Sequence, residues 1–195
     1  MNMPNLLTLL RIALAPIFMF FFLFDNFYMR MIALGLFVLA AFTDLADGYY
    51  ARKLGVITGF GKFMDPLADK ILVSSALISF IALGYVNPLP VILIVGREFS
   101  ITGLRLLAAY KGVVIPPSWM AKAKTFLQMT VVGVVMGYIC LLTALTHYQH
   151  PALELLTFDY RWYFGWLLWV TAGVTVWTGA DYVVKYFYMI KSVLK

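Results

Sequence analysis

Across 195 residues, 63% hydrophobic and only 12% charged side chains, with a mean hydropathy of +0.89, exclude an ordinary soluble domain and place the chain in the membrane class. The net charge of +6 comes from basic residues scattered between apolar runs, so it reads as positive-inside topology and not as a nucleic-acid surface. The single cysteine, Cys140, sits in an apolar run and cannot form an intrachain disulfide.

A spanning helix needs about 20 mostly apolar residues, and this requirement decides where the charged residues must lie. Residues 12–24 are uncharged but too few to span. The first span therefore begins near Leu6 and includes Arg11, or a short interfacial helix from about Pro4 bends into it while Arg11 snorkels to the interface. No small-residue cleavage site follows and Asp25-Asn26 reads as a turn, so this helix is expected to be retained. The second uncharged run, 31–43, is also short, so a full span continues through Asp44, Asp47 and Tyr50. Gly55, Gly59 and Gly61 with Thr58 predict a turn. The next run, 71–83, is short again, so its helix is expected to start near Asp65 and to carry Asp65, Asp69 and Lys70 in its first turns, where Pro66 is tolerated. Residues 84–90, with Asn87-Pro88-Leu89-Pro90, form the opposite loop.

The fourth span must include Arg97, Glu98 and Arg105 and closes at 112–117. Residues 118–124 lead into a fifth span over about 125–146, 147–161 form an outer loop, and a sixth span runs from 162 to about 180, with an extension through Asp181. The expectation is an all-α integral membrane protein with six transmembrane helices and a short N-terminal interfacial helix, in a single domain 1–195. Basic residues gather on the side of the second and fourth turns, whereas the other side has Arg30 and Arg161, so both termini and residues 44–69 are expected on the cytoplasmic side.

Residues 44–69 hold four of the chain's nine acidic residues near membrane depth, which makes a functional site the default reading. Asp44 and Asp47 are three apart and Asp65 and Asp69 four apart, so on helices each pair shares one face. Four carboxylates that close repel one another unless a cation neutralises them. Hard divalent ions such as Mg²⁺ or Mn²⁺ favour such oxygen ligands, and two can share the cluster when a phosphate or diphosphate completes their coordination. Gly48 removes a side chain where a ligand would approach the backbone, and Arg52, one turn on, offers a planar fork suited to phosphate. The competing reading pairs these acids with Arg52, Lys53, Lys62 and Lys70 as helix-end salt bridges, which would not require such a density of acids in a membrane.

The pattern Asp44-x2-Asp47-Gly48-x2-Ala51-Arg52-x8-Gly61-x3-Asp65-x3-Asp69 resembles the full signature of the CDP-alcohol phosphotransferases, with every fixed position filled. The resemblance implies a six-helix homodimer in the membrane that binds CDP-diacylglycerol and two divalent cations, with an alcohol attacking the β-phosphorus and CMP leaving. Carried onto this chain, it gives Asp44, Asp47 and Asp65 as metal ligands, with Asp69 beside them as a further ligand and as general base. Asp47, Gly48, Arg52 and Thr58 would contact the CDP part, and Asn5 and Thr8 are similar to an N-terminal Asn-x-x-Thr beside the nucleotide in relatives. Residues 5–16, 60–69, 97–105 and 119–128 look like the bacterial phosphatidylglycerophosphate synthases. That narrower likeness implies transfer to the sn-1 hydroxyl of glycerol 3-phosphate at the bacterial cytoplasmic membrane. A phosphorylated acceptor needs cations, and Arg97, Arg105, Lys122 and Lys124 are the candidates. The competing readings are a buried Arg97–Glu98 pair and, for the lysines, topology alone.

The same chemistry on another acceptor, such as inositol phosphate, is the nearest alternative. A Mg²⁺-dependent prenyltransferase would carry its acid clusters on separate helix pairs, and a cation transporter would spread its acids along a pathway with inverted repeats. His147 and His150 fall on the outer side, away from the acids. Gly133 and Gly137 suggest a close-packing face suited to a dimer contact.

Overall fold

The computed structural model describes residues 3–54, 59–112, 119–156 and 159–186, with side chains described outside 3–5, 44–63 and 155–156. The described residues form α1 (Met3–Leu23), α2 (Phe27–Leu54), α3 (Gly59–Ala82), α4 (Pro88–Tyr110), α5 (Trp119–His147) and α6 (Tyr160–Lys185), with one 3-10 turn at Pro151–Leu156. The shortest, α1, has 21 residues, about 32 Å at 1.5 Å per residue, so each is long enough for the hydrocarbon core of a bilayer. By composition as well as length, α1, α5 and α6 qualify as spans, yet only 33 to 39% of their apolar windows is buried within the chain. Side chains such as Phe20, Phe126, Trp166 and Trp177 are more than half exposed, and lipid is the solvent that such surfaces require. The other three helices carry charged residues well inside their lengths, as the length requirement predicts. The protein is an all-α membrane protein with six long helices.

Several boundaries differ from the sequence reading. α1 runs unbroken over Met3–Leu23 and starts earlier than Leu6, with Arg11 inside it as the first of the two alternatives has it. Pro16 is accommodated inside α1, as membrane helices tolerate when neighbours satisfy the freed backbone groups. α3 starts at Gly59, six residues before Asp65, so of the three glycines expected in a turn Gly55 lies outside the described residues, while Gly59 and Gly61 are helical. Their cost, about 1 kcal/mol each, is small beside the packing of a whole helix. α5 likewise begins at Trp119 and absorbs the expected lead-in with both lysines. α4 begins at Pro88, inside the expected 84–90 loop, because Asn87 caps it there, whereas its close before Gly112 falls as expected. Asn87 accepts a hydrogen bond from the Leu89 N–H at 2.9 Å ahead of Pro88, and Gly112 takes φ +80° beyond the end of α4.

Contacts divide the chain into two compact units. The first joins Met1–Tyr85 with Val132–Tyr160, and the second joins Val86–Val131 with Arg161–Lys195. In the first, Phe18 packs on Phe22 and Phe37 with ring centroids 5.4 Å apart, and Phe22 meets Phe80 at 5.9 Å. Buried alanines, Ala15 and Ala33 among them, alternate with these rings and let helix backbones approach. In the second, α6 buries a stripe of Leu168, Thr171, Thr175, Thr178 and Tyr182, helical in period and unusually polar.

Candidate active site

In the first unit, α1 is set against α3 by a two-rung polar ladder. The Thr8 hydroxyl donates to Asp65 Oδ1, and Arg11 Nη1 donates to Asp69 Oδ1 in an ion pair. Thr8 and Arg11 are three apart on α1, Asp65 and Asp69 four apart on α3, so each pair occupies one face and the rungs stack. Arg11 is 1% exposed, whereas the Asp69 side chain keeps 41% of its surface. Asp69 is thus anchored on its buried side and accessible on the other. The guanidinium does not snorkel as expected, because a partner carboxylate makes burial cheaper than a stretched side chain. Arg11 is the site residue the sequence reading missed. The signal was an arginine inside an apolar span, which calls for an acid elsewhere in the fold.

Asp44, Asp47, Gly48 and Arg52 fall in the C-terminal half of α2, whose backbone is helical through Leu54. Both acids therefore keep the helical spacing that puts them on one face. Their side chains, with that of Asn5 and the whole of Thr58, lie outside the described residues. The donor set of Asp65, Asp69 and the two α2 acids is all oxygen and all carboxylate, which fits a hard divalent ion such as Mg²⁺ or Mn²⁺.

The second unit holds a different polar cluster. Glu98, 3% exposed, accepts from Lys124 Nζ and from Arg97 Nη1, the latter at 3.0 Å. Arg97 Nη2 also donates to Thr178 Oγ1 at 3.1 Å, so α4, α5 and α6 meet at this point. The Arg97–Glu98 pair weighed from sequence is therefore present, yet one carboxylate faces two cations and the triad keeps a formal charge of +1. Arg97 Nε, Thr175 Oγ1 and the Tyr182 hydroxyl are buried with no hydrogen-bond partner among the described residues. Buried cations beside unsatisfied buried polar atoms form an arrangement that an anion's oxygens would complete. Tyr182 lies within electrostatic reach of both Arg97 and the exposed Arg105. Lys122 is exposed and two residues from buried Lys124, so the two lysines face different ways and are not brought together.

Gly179 makes room for Arg97. A Cβ added there would lie 3.0 Å from Arg97 Nε and 3.1 Å from its Cγ, so any larger residue shifts the guanidinium stem. Asp181 pairs with Lys185 one turn on at 2.9 Å and so belongs to the helix end. His147 stacks on Phe27 at 4.8 Å, and His150 Nδ1 accepts from the Ala152 N–H at 3.1 Å, which gives both local structural roles.

The chain matches the family model described as CDP-alcohol phosphatidyltransferase over residues 1–177. It is similar to the CDP-diacylglycerol–glycerol-3-phosphate 3-phosphatidyltransferase of Bacillus subtilis, with 39% identity over 98% of each chain. The protein of the same name from Rickettsia bellii is 46% identical over 66% of this chain and 71% of that one. A probable phosphatidylglycerophosphate synthase of Mycobacterium tuberculosis is 38% identical over 79% of this chain and 82% of that one.

Proposed function

The chain belongs to the CDP-alcohol phosphatidyltransferase family, and we propose that it transfers the phosphatidyl group of CDP-diacylglycerol to the sn-1 hydroxyl of glycerol 3-phosphate, releasing CMP and phosphatidylglycerophosphate. The observation that carries this reading is the likeness, end to end, to a relative whose name states that reaction. The test is transfer by the purified protein from CDP-diacylglycerol to labelled glycerol 3-phosphate, inositol phosphate and glycerol. Release of CMP only with the first is the expected result, and equal transfer to inositol phosphate would reassign the acceptor.

Asp44, Asp47 and Asp65 would hold two divalent cations, with Asp69 beside them as a further ligand. Those ions, when bound, withdraw negative charge from the diphosphate as it breaks. Thr8 keeps Asp65 aimed, and Arg11 does the same for Asp69. Asp69 accepts the proton of the acceptor's C1 hydroxyl as that oxygen bonds to the β-phosphorus, and the bond from that phosphorus to the CMP oxygen breaks. Asn5, Thr8, Asp47, Gly48, Arg52 and Thr58 contact the CDP part, where Arg52 suits the phosphates. Arg97, Arg105 and Lys124 bind the acceptor's phosphate, while Lys122, the fourth candidate, faces away from Lys124. Glu98 fixes Arg97 and Lys124 in place.

The protein is placed by this reading in the bacterial cytoplasmic membrane as a homodimer, with termini and carboxylates on the cytoplasmic side. Arg52, Lys53, Lys62 and Lys70 near the motif, against Arg30 at the other end of α2, support the orientation. Gly133 and Gly137, exposed one turn apart on α5, offer a face on which a second copy could pack closely.

Arg97→Gln and Arg105→Gln are each expected to raise KM for glycerol 3-phosphate by roughly ten- to a hundredfold, the worth of a charge-assisted hydrogen bond, with KM for CDP-diacylglycerol little changed. Gly179→Ala removes no charge yet pushes on Arg97, so it should raise the same KM in the same direction. Parallel loss for both substrates, with poor folding, would reduce Arg97 to a structural partner of Glu98.

A further inference from the structure

The end of the first unit away from the carboxylates holds a second polar cavity, of about 400 Å³, that the transfer reaction does not use. Arg30, Thr143, Thr146, His147, Tyr85 and Asp25 line it. Arg30 precedes Asp44 by 14 residues on the same helix, about 21 Å along the axis, so this cavity and the carboxylate motif are separate sites.

Arg30 is the group that needs explaining. It is 5% exposed, its Nη1 donates to Thr143 Oγ1, and its Nη2 meets Asp25 at 3.0 Å, while Nε has no partner among the described residues. Asp25 is 89% exposed, so water screens it and its attraction compensates little of the cost of burying a guanidinium. Thr143 already donates its own hydrogen to the Ile139 carbonyl at 2.8 Å, so it can only accept from Arg30 and adds no negative charge. Around the fork stand the Tyr85 phenol and the His147 ring. Burial pushes the Tyr85 phenol above its ordinary range, so it remains an O–H donor, and His147 is held flat against Phe27, 8° from parallel. The cavity thus presents a planar cationic fork beside a phenol and an imidazole, with one exposed acid as a weak occupant of the fork. A buried, incompletely partnered guanidinium fork suits the oxygens of a phosphate.

We propose that this cavity is a binding site for a phosphate ester, held by the Arg30 fork, and that the Asp25 carboxylate occupies the fork when the ester is absent. The ester is the head-group phosphate of an anionic phospholipid or a free phosphate monoester.

The two sources and the role of Asp25 are separable with the full chain in phosphatidylcholine nanodiscs, stripped of divalent ions with EDTA. Inorganic phosphate is titrated calorimetrically, and native mass spectrometry counts retained phosphatidic acid after it is added to the nanodiscs. Arg30→Gln should weaken phosphate binding about tenfold or more and keep transfer activity, which also shows that it folds. Asp25→Asn should bind several-fold tighter, because an intramolecular competitor is gone. Asp44→Asn should retain the binding, which separates this site from the carboxylate motif. Retention of phosphatidic acid that Arg30→Gln loses identifies a lipid, whereas phosphate binding without lipid retention identifies a soluble ester. If Arg30→Gln does not fold, Arg30→Lys keeps the charge without the fork and should weaken binding at near-native Tm. Binding unchanged in the Arg30 variants, or weakened by Asp25→Asn, would overturn the proposal and leave the pair as a strut between the α1–α2 turn and α5.

Discussion

Asp44→Asn and Asp65→Asn are each expected to abolish transfer and to weaken Mn²⁺ binding with it. The amide keeps the shape of the carboxylate and removes the charge that a hard divalent ion requires of its ligand. At Asp65 the exchange leaves the local structure nearly intact, because an asparagine carbonyl still accepts from the Thr8 hydroxyl and the rung between α1 and α3 survives. Loss of activity there would report coordination and not folding. Thr8→Ala supplies the internal comparison. It keeps the ligand but removes the group that orients it, and an orienting partner is worth about ten- to a hundredfold in metal affinity or activity. The order expected in CMP release is therefore wild type, then Thr8→Ala, then the two Asn variants. Manganese binding read by electron paramagnetic resonance should fall in the same order. Full retention of rate and Mn²⁺ affinity in either Asn variant would sink the ligand assignment.

What the sequence made legible is local. Helix number and order follow from apolar runs too short to span without their charged neighbours, and α2, α3 and α4 do carry those charges inside them. The spacing of Asp65 and Asp69 put them on one face. Several helix ends were misjudged, even at Asn87-Pro88, where the cap lies inside the stretch expected to be loop. Glycine at 59 and 61 carries a breaking propensity that tertiary packing overrides. The pairings that organise both polar clusters were beyond reach for a different reason. Arg11 meets Asp69 across 58 residues and Arg97 meets Thr178 across 81, and nothing in a single chain's periodicity selects among such partners. The sequence reading also grouped Lys122 with Lys124, although two residues apart on a helix they do not share a face, and only the second is buried.

Asp69→Asn should lower kcat by about a hundred- to ten-thousandfold, the contribution typical of a positioned general base, while CDP-diacylglycerol and Mn²⁺ binding stay close to wild type. An alcohol holds its proton tightly at neutral pH, so the attacking oxygen needs an acceptor as it approaches phosphorus. Asp69 is suited by its surroundings. Arg11 grips one oxygen from the buried side, which fixes the carboxylate's direction, and the accessible remainder leaves room for a hydroxyl. The ion pair also complicates the test, because Arg11 is 1% exposed and would lose its counter-charge. Stranding a buried charge costs about 3–5 kcal/mol when its partner is removed outright. The amide retains an acceptor for Arg11, so a smaller loss of Tm is expected, and the assay belongs well below that temperature. Arg11→Lys separates the two effects. It keeps the counter-charge but not the fork, so it should lower kcat less than Asp69→Asn does, with Mn²⁺ affinity unchanged. A base and its positioning residue behave in that way. If Asp69→Asn loses Mn²⁺ as completely as Asp44→Asn, the residue is a ligand first, and the proton must pass to another acceptor.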